Sequence, residues 1–141
     1  MKKELVKDWM TRDVVTISPE MTLPEAHRLM EEKKIRRLPV VDSGRLVGIV
    51  TRGDIRGAEP SGATSLSIWE VNYLLAKLKI GEIMTAHPLT IAAEETIGEA
   101  ARLMLEKKIS GLPVVDNAGR LVGIITESDI FRLVVQEWHK D

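Results

Sequence analysis

Hydrophobic residues follow a helical period in two parts of the chain, at 23–30 and again at 97–104, where they recur three or four positions apart. Each of these segments is followed by two short apolar runs around a turn, within 38–50 and 112–125. Two such runs around a turn are typical of a β-hairpin. Because the runs hardly alternate with polar residues, we expect their strands to be covered on both faces.

A short β-branched run precedes each helix, V-V-T-I-S-P at 14–19 and P-L-T-I-A-A at 88–93, and both are predicted to be strands. The sequence therefore predicts the order strand, helix, strand, strand, helix twice. The segment 35–55 returns at 109–130 with most positions unchanged, and Ala118 adds one residue to the second turn. The chain is an internal duplication, and we expect the function to lie where the two copies meet.

Two smaller features recur with the copies. Met-Thr pairs at 10–11 and 84–85 begin the two copies. Gly48 and Gly123 both lie inside a strand pattern, where a glycine indicates a bulge or a close approach of another backbone.

Helix starts are marked by a Thr or Ser followed three residues later by an acidic residue, which is the spacing of a capping box. The pairs are Thr22 and Glu25, Thr51 and Asp54, Ser67 and Glu70, Thr96 and Glu99, and Thr126 and Asp129. Ser67 begins a helix in the linker between the copies, and Gly81 is predicted to end it. On that helix Trp69 and Tyr73 form a second apolar ridge, which either packs on the two copies or contacts another subunit.

The composition is that of a soluble protein. The chain has 141 residues, 44% of them hydrophobic, with 20 basic and 21 acidic side chains and a net charge of −1. A copy of fewer than ~60 residues is marginal alone, so two copies packed together would bury what neither could bury by itself. The near-neutral charge argues against binding to nucleic acid or to anionic membranes. There is no apolar run of membrane-spanning length and no signal peptide, so we expect a cytoplasmic protein.

The sequence does not predict an enzyme. Without cysteine there is no disulfide, no thiolate catalysis and no common zinc site. The three histidines lie outside the duplicated motif, and no P-loop, nucleophile elbow or dinucleotide glycine signature is present.

The T-x-x-D pairs at 51–54 and 126–129 allow two interpretations. As structure alone, the threonines are helix N-caps and the aspartates are favoured by the first helical turn. A carboxylate held in this way can also accept both hydroxyls of a ribose, as the acidic residue of dinucleotide folds does. The second interpretation requires the helix start to face a cleft.

The run L-P-V-V-D-x-x-G-R-L-V-G-I-(V/I)-T-x-x-D-I, present twice after an M-T-x-x-x-x-T start, resembles the cystathionine-β-synthase (CBS) domain. The resemblance covers about residues 5–58 and 79–136, with 59–78 as a linker loop and helix, and implies a free-standing tandem pair. It implies an α+β fold in which two β-α-β-β-α repeats pack sheet to sheet with pseudo-twofold symmetry and leave two clefts.

CBS-domain pairs bind adenosine-containing ligands in such clefts, among them AMP, ADP, ATP and S-adenosylmethionine. The resemblance implies that adenine lies against the first strand and the start of the hairpin, and that a T-x-x-D aspartate, usually of the other repeat, holds the ribose. One cleft would combine Val14, Val15, Thr16, Arg36, Arg37, Leu38 and Pro39 with Ile124, Thr126 and Asp129. The other would combine Pro88, Leu89, Thr90, Ser110, Gly111, Leu112 and Pro113 with Ile49, Thr51 and Asp54.

The copies differ where Arg36 and Arg37 stand in place of Ser110 and Gly111. Because the planar guanidinium suits phosphate, we expect the cleft with the arginines to prefer phosphorylated nucleotides. The alternative is that the arginines are surface charge.

The resemblance implies a regulatory module that needs no cofactor or metal. It would sense adenine nucleotides by a change in packing, form a homodimer through its second helices, and act on an unidentified enzyme or transporter. Two rival functions stay open: an adaptor that binds a protein partner without a small molecule, and a nucleic-acid binder, against which the charge argues.

Overall fold

The computed structural model describes residues 3–58 and 65–140. In the first half of the chain the elements are α1 (Val6–Trp9), α2 (Leu23–Lys33), β1 (Arg37–Asp42), β2 (Arg45–Thr51), α3 (Arg52–Ala58) and α4 (Ile68–Lys77). They are followed by α5 (Ile80–Ile83), β3 (Thr85–Ala86), β4 (Ile91–Ala92), α6 (Ile97–Lys107), β5 (Gly111–Val115), β6 (Leu121–Thr126) and α7 (Glu127–Trp138). None of the helices in these residues is long and apolar enough to cross a membrane.

Two three-stranded sheets, ordered β1-β2-β3 and β4-β5-β6, confirm the α+β fold class. Both predicted hairpins are present as antiparallel pairs, β1 with β2 and β5 with β6. The register shifts at the same place in each, between Val40 and Val41 and between Val114 and Val115. The duplication in the sequence is therefore reproduced in detail by the two hairpins.

The chain divides into two compact units that do not coincide with the two sequence copies. One unit joins the start of the chain, up to Val14, to the part from Leu89 onward, and the other runs from Val15 to Pro88. In the first unit Thr11 and Ile124 exchange two backbone hydrogen bonds, each of 2.9 Å. In the second, β3 pairs with β2. The Met-Thr segment of each copy thus packs on the hairpin of the other copy.

The glycine inside each hairpin makes this packing possible. A Cβ on Gly123 would lie 2.5 Å from Met10 Sδ and 2.9 Å from the Thr11 carbonyl oxygen. A Cβ on Gly48 would collide in the same way with the Sδ of Met84. Both glycines therefore permit the close approach of a neighbouring segment that their position in a strand predicts.

Each unit has its own hydrophobic core, built from equivalent positions of the duplication. The core of the first unit consists of Val6, Ile91, Ile97, Ala100, Met104, Leu112, Val114, Ile125 and Leu133. The core of the second consists of Ile17, Leu23, Ala26, Met30, Leu38, Val40, Val50, Ile55 and Ile80. Val6 and Ile80 are wholly buried contributions from the exchanged segments. Burying a valine or isoleucine completely stabilises a fold by roughly 1.5–3 kcal/mol, so these segments are integral to the units.

The first strand of each copy is much shorter than the sequence predicts. In 14–19 only Ile17 forms a bridge, to Val40, and in 88–93 only Ile91 and Ala92 are paired. Ile17 donates its N–H to the Pro39 carbonyl at 3.1 Å and accepts from the Val41 N–H at 2.8 Å. Because helices α2 and α6 begin within a few residues, the chain leaves the sheet after one or two residues.

The caps of the helices are confirmed with differences in detail. Ser67 and Glu70 form a reciprocal capping box on α4. The Thr22 and Thr96 hydroxyls each accept a hydrogen bond from the backbone N–H three residues later. The Glu99 carboxylate, however, accepts a hydrogen bond from the Arg102 guanidinium, and not from the backbone N–H of Thr96. The predicted end of α4 at Gly81 is wrong. Helix α4 ends at Lys77 with Leu78 as its cap, and Gly81 lies within α5.

Helix α4 packs on α2 within its own unit, where Leu75 and Leu78 lie against the core. Trp69 and Tyr73, the second ridge of this helix, are exposed at 80% and 60%. The ridge therefore does not belong to the core of this unit. On α7, the side chains of Phe131, Val134, Val135 and Trp138 form another exposed apolar stripe.

Candidate functional site

Each T-x-x-D motif joins a hairpin to the helix that follows it, and its carboxylate is held by its own threonine. The Thr51 N–H donates to Asp54 Oδ2 at 2.8 Å, and the Asp54 N–H donates to Thr51 Oγ1 at 3.1 Å. The Thr126 N–H donates to Asp129 Oδ2 at 2.8 Å, and Thr126 Oγ1 lies 3.3 Å from the same oxygen. The predicted cap by the Thr51 hydroxyl is confirmed, and in both motifs one carboxylate oxygen accepts the backbone N–H of the threonine.

The strand pairing places each motif beside the first residues of its own hairpin. Arg37 pairs with Thr51, and the Arg52 N–H donates to the Arg36 carbonyl at 2.8 Å. In the other unit Gly111 pairs with Thr126, and the Glu127 N–H donates to the Ser110 carbonyl at 3.1 Å. Within a unit, therefore, the structure brings Arg36 and Arg37 next to Thr51, and Ser110 and Gly111 next to Thr126.

The predicted site sets combine residues of different units. The arginines, Leu38 and Pro39, with Val15 and Thr16, belong to the unit from Val15 to Pro88, whereas Ile124, Thr126 and Asp129 belong to the other. The second set likewise joins Ile49, Thr51, Asp54 and Pro88 to Leu89, Thr90 and the hairpin from Ser110 to Pro113. These combinations stay predictions.

Several of the predicted site residues are buried in a core or use their backbone groups in strand pairing. Leu38 and Leu112 are wholly buried in the two cores, so their side chains face away from any ligand and only their backbone could contact one. Ile124 uses both its backbone groups on Thr11, and Ile49 pairs with Thr85. Sequence reasoning missed these partners, although a strand glycine that recurs in both copies indicated some close contact.

The segments before the short strands are more open. Thr16 and Leu89 are exposed, and Val14, Val15 and Thr90 are partly buried. The Val14 N–H donates to the Arg12 carbonyl at 2.9 Å, and residues 14–16 take no part in a strand. Such segments can offer backbone groups and apolar side chains to a flat ring.

The two carboxylates differ in environment. Asp54 is partly buried, whereas Asp129 is only 1% exposed. Arg132 Nη2 donates to Asp129 Oδ1, so both oxygens of this carboxylate are engaged. The residue at the equivalent place after Asp54 is Gly57.

No group of three or more His, Asp or Glu side chains in residues 3–58 and 65–140 is arranged to hold a metal ion. His27 contacts Glu31 on an exposed helix face, with 3.1 Å between Nε2 and Oε1.

The fixed carboxylates of the T-x-x-D motifs are suited to accepting hydrogen bonds from hydroxyl groups.

A duplicated β-α-β-β-α unit with a capped T-x-x-D motif after each hairpin defines a tandem module of the CBS type. The family model of the CBS domain matches residues 6–61 and 80–136. The chain therefore belongs to the CBS-domain family, and the resemblance seen in the sequence is confirmed.

Two curated relatives differ in how much of their length the chain spans. A CBS domain-containing protein of Dictyostelium discoideum is 38% identical over 135 residues, which are 95% of this chain and 93% of that protein. The inosine-5′-monophosphate dehydrogenase of Korarchaeum cryptofilum is 40% identical over 125 residues, which are 89% of this chain but 23% of the dehydrogenase. The same module is thus found both as nearly a whole protein and as a quarter of an enzyme.

Two solved structures match nearly the whole chain. CBSX2 of Arabidopsis thaliana in complex with AMP has 33% identity and a TM-score of 0.81, with 96% of this chain and 99% of that chain covered. The CBS domain pair of protein MJ0100 in complex with 5′-methylthioadenosine and S-adenosyl-L-methionine has 35% identity and a TM-score of 0.77, with 94% and 97% covered.

Proposed function

We propose that this chain is a regulatory module that binds an adenosine-containing ligand, of the class of AMP, ADP, ATP or S-adenosylmethionine. One observation carries the proposal: each copy holds an aspartate by its own capping threonine at the hairpin–helix junction, at Asp54 and Asp129. The complexes of CBSX2 with AMP and of the MJ0100 pair with adenosyl compounds support it, because both match this chain over almost its full length. A fixed carboxylate is a suitable acceptor for ribose hydroxyls.

The proposed sites are the two sets predicted from the sequence, with the aspartates on ribose and the open segments 14–16 and 88–90 on adenine. Arg36 and Arg37 are proposed to hold phosphate. Arg36 is exposed and Arg37 follows it at the start of β1, where the other copy has Ser110 and Gly111, so a planar guanidinium is available at this place in one copy only.

The proposed module has no catalytic role of its own. It acts by a change in the packing of its repeats or subunits, and a ligand shifts that equilibrium only as far as it binds the two arrangements differently. The regulated partner is an enzyme or a transporter, and the location is the cytoplasm.

A homodimer formed through the second helix of each copy completes the proposal. The exposed stripe on α7 supports it, because Phe131, Val135 and Trp138 recur at helical spacing on a face that their unit leaves uncovered. Changing Val135 to Lys should convert the dimer to a monomer in light scattering after size exclusion, whereas Gln136→Lys on the same helix should leave it a dimer. A monomeric wild-type protein would refute the dimer.

Thermal unfolding with and without nucleotide tests the proposed function. A ligand present at ~100 times its Kd adds ~2.7 kcal/mol, which raises the melting temperature of a domain of this size by roughly 8 °C. The panel consists of AMP, ATP, 5′-methylthioadenosine and S-adenosylmethionine, and the control is the double variant Asp54→Asn with Asp129→Asn. Stabilisation of the wild type and not of the variant supports the proposal. No stabilisation by any compound would favour the ligand-free adaptor instead.

A further inference from the structure

The two T-x-x-D motifs differ at the third residue after the aspartate. The copies are offset by 75 residues here, so Gly57 in α3 corresponds to Arg132 in α7. Three residues on a helix bring a side chain back to the same face, which is why Arg132 reaches Asp129. Its Nη2 donates to Asp129 Oδ1.

Because of this contact, the two carboxylates differ in how many of their oxygens already accept a hydrogen bond. Asp129 has Oδ2 engaged by the Thr126 N–H and Oδ1 engaged by Arg132, and it is 1% exposed. Asp54 has its capping bonds with Thr51 only, in the described part of the chain, and stays partly buried. A ribose that offers two hydroxyls needs both acceptor oxygens, or at least the one that faces away from the cap.

We propose that Arg132 is a latch that closes Asp129 to ribose, so that the site containing Asp54 holds a ribose more tightly than the site containing Asp129 does. This inference rests on the proposed function and specifies how the two sites of the module differ in their hold on the ribose. The T-x-x-D sequence is the same in both copies, and the difference comes from one arginine outside the motif.

Ligand binding to Asp129 is then a competition. The ribose must displace the guanidinium from Oδ1, and the measured Kd equals the intrinsic Kd divided by the fraction of time that the latch is open. The Arg132 side chain is 64% exposed, so it can leave the carboxylate for solvent without disturbing the core. An ion pair with an exposed member is worth up to ~1 kcal/mol, which corresponds to about a fivefold effect on Kd.

The chain offers a reciprocal experiment. The change Arg132→Gly makes the second copy like the first, and Gly57→Arg makes the first copy like the second. A Cβ on Gly57 would meet nothing within 4 Å, so a side chain can start from this position without a collision. The Kd for AMP is measured by calorimetric titration in two backgrounds, Asp54→Asn and Asp129→Asn. Each background keeps one of the two aspartates, so each titration curve reports a single site. The far-UV circular dichroism melt of each variant confirms that it is folded.

In the Asp54→Asn background, Arg132→Gly should tighten AMP binding about fivefold. In the Asp129→Asn background, Gly57→Arg should weaken it by a similar factor. With 5′-methylthioadenosine, which has no phosphate for Arg36 and Arg37, the Asp129→Asn protein should bind more tightly than the Asp54→Asn protein. An unchanged Kd on Arg132→Gly would overturn the latch, and so would weaker binding, which would mean that Arg132 holds the ligand. If neither the wild type nor any variant releases heat with AMP or 5′-methylthioadenosine, the proposed function itself is wrong.

Discussion

Replacing Gly123 with alanine tests the packing of an exchanged segment on the hairpin of the other copy. The new Cβ would lie 2.5 Å from Met10 Sδ and 2.9 Å from the Thr11 carbonyl oxygen, against an optimum of ~3.5–4 Å for such contacts. Met10 can change rotamer, but Thr11 is fixed by two 2.9 Å hydrogen bonds to Ile124. Overpacking costs ~1–3 kcal/mol, and removing a glycine from the unfolded chain offsets ~0.4–1 kcal/mol of that. We expect a net loss of ~2 kcal/mol.

Urea unfolding followed by circular dichroism measures this loss. Adding Met10→Ala to Gly123→Ala removes the collision with sulfur but not that with the carbonyl, so the double variant should recover ~1 kcal/mol relative to additivity. The control is Gly53→Ala, whose Cβ would meet only Thr51 Oγ1 at 3.6 Å and which should stabilise α3 by ~0.5–1 kcal/mol. If Gly123→Ala is as stable as Gly53→Ala, the packing described for this segment is wrong.

Three further outcomes are expected. In the Asp54→Asn background, which leaves the site that combines the arginines with Asp129, Arg36→Ala with Arg37→Ala should weaken AMP or ATP binding about tenfold or more, as loss of charge-assisted phosphate contacts requires. Binding of a ligand without phosphate should be unaffected in calorimetry, and equal affinity for AMP would refute the assignment. Lys34 is the C-cap of α2 and has a left-handed backbone with φ 55°. Lys34→Gly should therefore raise stability by ~0.5–1 kcal/mol in thermal unfolding, and a loss would contradict this. Hydrogen bonds from the backbone N–H groups of Arg120 and Ala118 lower the pKa of Asp116. Its stabilising contribution is therefore complete above the ordinary aspartate pKa and lost as the pH falls through the lowered value, and an NMR titration midpoint at or above the ordinary value would refute it.

The local features of this fold could be predicted from the sequence because they depend on neighbours in the chain. The hairpins follow from apolar runs around turns, and the helices follow from their period and caps, down to the bonds between Thr51 and Asp54. The short helices α1 and α5 were not predicted, because four residues are too few to establish a period.

The exchange of the starting segments could not be predicted from the pattern. Both hairpins carry the same glycine and both segments carry the same Met-Thr pair, so the residues are equally suited to pairing within a copy or between copies. Val6 packs in one core with Ile91 and Ile125, although both are far from Val6 in the sequence. A contact between such distant residues is seen only in the folded structure. The latch on Asp129 was missed for a different reason. Arg132 lies outside the duplicated motif, and from the sequence alone it is indistinguishable from any charged residue on a helix surface.

Calorimetric titration of AMP into the wild-type protein and into the double variant Asp54→Asn with Asp129→Asn tests the central claim most directly. We expect saturable heat for the wild type and an affinity for AMP at least tenfold lower for the variant, since each carboxylate supplies the acceptors for a ribose. Equal affinity of the two proteins for AMP would contradict the claim that the T-x-x-D carboxylates hold the ligand.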